Sequence, residues 1–195
     1  MKSMQSSDKY LFLWILPFLF VIAFYFMMGD KPAVNVDSLD EKFVTLSNAH
    51  TNYCAAPNFL DSKSDDERLQ GSCCSKMDFH RYTEQIEGLK QYSSMSVIPS
   101  DPYDVKVSLA KTLIDYDKKI TLNPQQQEVY DKAMKMSDEG GPCCCKCWRW
   151  TAFEGQAKYL ITEYNYNEKQ IAKVWDLEDG CGGKGHEDHF EPKPS

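Results

Sequence analysis

Residues 140–164, GGPCCCKCWRWTAFEGQAKYLITEY, join a knot of cysteines to a helix. In the second half Phe153, Ala157, Leu160, Ile161 and Tyr164 recur at i, i+4, i+7, i+8 and i+11, the clearest amphipathic pattern in the chain. The first half places Cys143, Cys144, Cys145 and Cys147 within five residues, a density that core packing seldom requires. Zinc held by sulfur needs a tetrahedron of ligands at about 2.3 Å, and Cu(I) and iron–sulfur clusters also prefer thiolates. Alternate side chains of an extended strand stand roughly 6.6 Å apart, so a chelating segment must coil. Gly140, Gly141 and Pro142 are suited to starting that coil. Cys147 falls at the start of the helix, where the macrodipole and free N–H groups lower a thiol's pKa, and Lys146 and Arg149 add positive charge.

Helical spacing continues on either side. Leu39, Phe43 and Leu46 predict a helix over 38–48, opened by Asp37 or Ser38, and Phe79, Tyr82, Ile86 and Leu89 predict another from Asp78 to about Gln91. Pro99 and Pro102 break the pattern, after which Val105, Leu109, Leu113 and Tyr116 predict a helix over 104–118. Asn123, Pro124 and Gln126 form a strong start signal for a helix whose stripe is Val129, Ala133 and Met136, and Asn167 with Gln170 opens a last helix from Glu168 to about Trp175. Residues 58–71 read as an exposed loop with at most one helical turn, and no strand is expected. The expected fold class is therefore all-α, a single bundle of five or six short helices with cysteine-rich loops, spanning 38–180. A flexible Gly- and His-containing tail, 181–195, is expected after it.

The run Tyr10–Met28, YLFLWILPFLFVIAFYFMM, contains no charge. Its 19 residues, at about 1.5 Å each, nearly match a hydrocarbon core of roughly 30 Å. It predicts a transmembrane anchor at 10–28, carrying Tyr10, Trp14, Pro17, Phe20 and Met28, with Pro17 as a kink and membrane lipid as a partner. The aromatic content and the lack of a small-x-small cleavage site favour an uncleaved anchor over a signal peptide. Lys2 and Lys9 precede it and Asp30, Asp37, Asp40 and Glu41 follow, so residues 1–9 are expected to be a cytoplasmic stub. The cysteine-rich domain then lies outside the cytoplasm, behind a linker at 29–37.

The formal net charge is −7, and the acid excess lies beyond the anchor. No basic patch suits a nucleic acid, which is excluded as a partner. All eight cysteines, Cys54, Cys73, Cys74, Cys143, Cys144, Cys145, Cys147 and Cys181, also lie beyond the anchor, an even count that fits disulfides outside the cytoplasm. One such scheme joins the 143–147 cluster to Cys54, Cys73, Cys74 and Cys181, four against four.

Two further groups carry soft ligands. If helical order reaches back to Cys73, then Cys73, Met77 and His80 share one face beside Cys74, a copper-type set. Each of Met77 and His80 taken alone is better explained as packing or surface. Cys181, His186 and His189 stand within nine residues of a glycine-rich stretch and could close on a metal. Covalent-haem, isolated thioredoxin-type, phosphate-loop and nucleophile-elbow motifs are absent from the sequence.

Pro142, Cys143, Cys145 and Cys147 resemble the short signature of the PCYCGC-motif proteins, exported and membrane-associated proteins of bacteria. Cys144 stands where that family has tyrosine and Lys146 where it has glycine, and the likeness covers residues 142–147. It implies export and metal handling. The leading expectation is an anchored, extracytoplasmic protein that sequesters or delivers copper or zinc, with a metal-donor or metal-acceptor protein as partner and an iron–sulfur cluster as the other option. The alternatives are a thiol–disulfide redox protein in which Cys147 attacks, and an inert disulfide-stapled interaction domain.

Overall fold

The computed structural model describes residues 36–182. Six α-helices carry the domain: α1 Val36–Ser47, α2 Phe79–Leu89, α3 Val107–Lys119, α4 Pro124–Met136, α5 Trp148–Tyr164 and α6 Glu168–Glu178. The chain is mostly helical, as expected. The predicted anchor 10–28 lies outside the described residues; among those described, no helix is long and apolar enough to cross a membrane.

The caps form where the sequence places them. Asn123 and Asn167 each accept from the N–H three residues on, while Gln126 and Gln170 accept from the cap N–H, closing two capping boxes. Asp78 accepts from the Arg81 N–H at 3.0 Å and starts α2. The central contact is α3 against α5, with α6 packed on α4 and α2. Phe153, Ala157, Leu160 and Ile161 of α5 are buried in that core beside Trp148 and Trp175, whereas Tyr164 is half exposed.

The expected loop at 58–71 is corrected. Pro57–Ser62 forms a 3-10 turn that buries Leu60, and Arg68–Gln70, β1, pairs antiparallel with Asp104–Lys106, β2, in the register Arg68↔Lys106, Leu69↔Val105, Gln70↔Asp104. Val105 therefore belongs to a strand, and the face that α3 buries is Val107, Ala110, Leu113 and Ile114. Leu69 and Val105 fill the core from this ribbon, and the Arg68 guanidinium pairs with the Asp104 carboxylate on its other face. A second correction concerns α4, which buries Tyr130 and Ala133 and leaves Met136 46% exposed.

Candidate metal centre

The ribbon gathers the first cysteines. Thr51 and Asn52 both donate their backbone N–H to Gln70 O, at 3.3 and 3.1 Å, so the chain leading to Cys54 runs beside the chain leading to Cys73 and Cys74. The start of α5 is fastened to the same place: Trp148 N–H donates to Ala55 O at 2.7 Å, and its indole Nε1 donates to Asn52 Oδ1 at 3.1 Å. Between Gly140 and Cys147 the chain coils through bends, with Gly140 at φ +67 and Gly141 at φ +155 as the glycine pair predicts.

The last arm comes from the end of α6. Cys73 N–H donates to Gly180 O at 3.3 Å and Ser75 N–H to Cys181 O at 2.9 Å, so Cys181 is clamped against the Cys73–Cys74 turn. Gly182, at φ +79, passes so close that a Cβ there would lie 2.3 Å from Ser75 O. Cys181 is consequently buried, a correction to the flexible tail expected from 181 onward. His186 and His189 lie outside the described residues.

The result is one continuous patch of sulfur. Cys54 Sγ lies 2.9 Å from Cys145, Cys144 is 2.9 Å from Cys181 and 3.7 Å from Cys74, Cys143 is 3.2 Å from Cys181, and Cys73 is 3.5 Å from Cys74 and 3.8 Å from Cys181. None of the eight is bridged to another in this arrangement. Four sets of three have their sulfurs within 4.8 Å of one another: Cys54, Cys74 and Cys145; Cys73, Cys74 and Cys181; Cys143, Cys144 and Cys181; Cys143, Cys145 and Cys147. A metal–sulfur bond near 2.3 Å sets sulfur–sulfur spacings of ~3.8 Å in a tetrahedron and ~4.0 Å in a triangle, so these sets are of chelating size. Cys143, Cys147 and Cys181 form the buried floor, Cys73 and Cys145 are half-buried, and Cys54, Cys74 and Cys144 face outward.

Arg149 lies beneath this floor with no exposed surface. It donates to Pro102 O at 2.8 Å and Glu178 O at 3.3 Å, and its guanidinium stacks over the Trp148 and Phe153 rings at 5.0 and 5.3 Å. Its Nε has no hydrogen-bond partner among the described residues. Burial opposes its charge, yet the sulfurs of Cys73, Cys143 and Cys181, with the Asp179 carboxylate, outweigh that cost and raise its pKa. Glu178, also beneath the floor, is raised to about 8 by burial and is mainly neutral at pH 7, so it supplies little counter-charge. A buried cation so placed calls for nearby negative charge, which the sulfurs and the Asp179 carboxylate supply.

The sulfurs share that charge unequally. Hydrogen bonds from Cys147, Cys181 and Cys73 pull Cys143 well below the ordinary thiol pKa, and its thiolate in turn raises Cys73, Cys147 and Cys181. Cys147, at the start of α5, is buried, and its hydrogen bond with Cys143 raises its pKa.

Comparison of the chain with protein-family models, curated proteins and solved structures gives no match.

Of the residues singled out by sequence, the structure brings Cys73, Cys74, Cys143, Cys144, Cys145, Cys147 and Cys181 together and adds Cys54. It separates His80 from them. Helix α2 begins only at Phe79, so Cys73, Met77 and His80 share no helical face, and the 74% exposed His80 side chain pairs with Glu84 at 3.2 Å. Met77 instead lines a surface cavity of about 380 Å³ together with Cys73, Cys74 and His50, the last of which no sequence spacing singles out.

Proposed function

We propose that this protein is a membrane-anchored, extracytoplasmic binder of soft metal ions that sequesters or delivers copper or zinc through a thiolate cluster. The observation that carries this reading is the convergence of eight unbridged cysteines from four chain segments over the buried guanidinium of Arg149. Thiolates bound to a metal keep their share of the negative charge beside Arg149, whereas four disulfides would remove it and leave that of Asp179. Metal ligation also protects adjacent thiols from pairing in an oxidising compartment. The apolar run 10–28 supplies the anchor and the charge asymmetry around it the orientation. The outward Cys54, Cys74 and Cys144 allow exchange with a donor or acceptor protein, and the cavity holding Met77 and His50 adds a thioether and an imidazole beside them.

The test is a competition titration of the reduced full chain against chromophoric Cu(I) and Zn(II) chelators, repeated with Cys145→Ser. The reading expects tight binding of at least one of the two ions and an affinity at least tenfold lower in the variant. Equal stoichiometry and affinity in the two proteins contradict the site.

A further inference from the structure

The four three-sulfur sets close into a ring. Cys74 joins the first set to the second, Cys181 the second to the third, Cys143 the third to the fourth, and Cys145 the fourth back to the first. Cys54, Cys73, Cys144 and Cys147 each complete one set, and the 3.7 Å contact of Cys74 with Cys144 braces the ring across its middle. Every cysteine is used, and none of the four sets contains an imidazole or carboxylate. A single tetrahedral ion would engage four sulfurs and leave four more thiols crowded beside it. Thiolates that belong to two sets are placed to bridge two ions, and sets of three sulfurs suit a trigonal Cu(I), whereas structural zinc takes four ligands.

We infer that the site holds a polynuclear Cu(I)–thiolate cluster of four ions, with Cys74, Cys143, Cys145 and Cys181 as bridging ligands and Cys54, Cys73, Cys144 and Cys147 as terminal ones. This rests on the metal-binding reading above and deepens it by fixing the ion and the nuclearity. Each Cu(I) takes three sulfurs. The thiol protons leave as the ions enter, so eight thiols and four Cu(I) give a cluster of net charge −4 with no change of oxidation state. Arg149 lies on the buried side of that charge.

Two exposed cysteines separate a ring from isolated sites without disturbing the core. Cys54 belongs to one set and Cys74 to two, and both side chains face outward. The experiment is anaerobic titration of the full reduced chain with Cu(I), followed by native mass spectrometry and copper X-ray absorption, for the wild type, Cys54→Ser and Cys74→Ser. Four Cu(I) per chain with sulfur-only ligation and a copper–copper shell is expected, with capacity falling by one ion in Cys54→Ser and by two in Cys74→Ser. One or two bound ions lacking a copper–copper shell, or equal losses in the two variants, overturn the ring while leaving the metal-binding reading intact. Absence of tight Cu(I) binding alongside stoichiometric Zn(II) binding overturns the copper cluster alone. Absence of binding for both ions overturns the cluster and the proposed function together.

Discussion

Cys54 and Cys145 hold their sulfurs 2.9 Å apart across 91 residues of chain. The contact ties the segment beside β1 to the bend before α5, and Cys181 ties the end of α6 to that bend and to the Cys73–Cys74 turn. A bound metal therefore cross-links distant parts of the fold and is absent from the unfolded reference state.

Removing the metal should lower thermal stability. A ligand present at about 1,000 times its Kd stabilises by about 4 kcal/mol, which for a domain of this size is on the order of 10 °C in Tm. Calorimetry of the reduced chain with and without a soft-metal chelator measures this; an unchanged Tm would show that the thiols do not hold the ion.

Arg149 should govern loading through its charge. Arg149→Met is expected to weaken metal binding ~10- to 100-fold, whereas Arg149→Lys retains part of the affinity because the cation remains. Protons compete with the metal for the raised thiols, so loading weakens as pH falls, and loss of the guanidinium moves half-loading to higher pH. Superimposable pH profiles for wild type and Arg149→Met would remove the electrostatic role. Circular dichroism distinguishes a loss of fold from a loss of charge.

Gly182→Ala should displace Cys181. The new methyl group would meet Ser75 O at 2.3 Å on a backbone at φ +79, so the arm must swing away from the Cys73–Cys74 turn. The helices do not depend on this arm. The expected result is a near-native helical spectrum with reduced metal capacity, and full capacity would show that Cys181 is no ligand.

Glu178 gives a stability signature of its own. Its folded pKa is raised to about 8 by burial, above the ordinary value of 4.5. The folded state thus holds the proton more tightly than the unfolded chain, and this contribution is complete below about pH 4.5 and lost as pH rises through 8. Glu178→Gln keeps the size and the acceptor that receives the Gln156 Nε2–H at 2.7 Å. In the metal-free reduced protein the variant should gain on the order of 2–4 kcal/mol relative to wild type between pH 5 and 8. Parallel stability curves would show that the carboxyl is not held neutral.

Much of this was legible in the sequence where a short-range rule decides. The two Asn–Gln capping boxes and the α5 stripe from Phe153 to Ile161 each depend on neighbours within one or two turns, and they form as spelled. The β1–β2 ribbon escaped because three residues are too few for alternation to show, and Arg68 and Lys106 mask the buried pair Leu69 and Val105. His80 was misplaced because Asp78 caps the helix five residues after Cys73, which removes the shared face. The cysteine loop announced its chemistry, and the four-against-four grouping anticipates which segments meet. Cys54 carries no local signal at all. It joins the site only because Thr51 and Asn52 bond to Gln70, a long-range pairing that no spacing rule encodes.

The proposed function requires the eight cysteines to serve as metal ligands. Native mass spectrometry of the full chain, purified without oxygen or chelator and compared with the denatured, alkylated protein, counts metals and free thiols in one experiment. The expected result is bound soft metal and eight alkylatable thiols. A metal-free chain carrying four disulfides would contradict it.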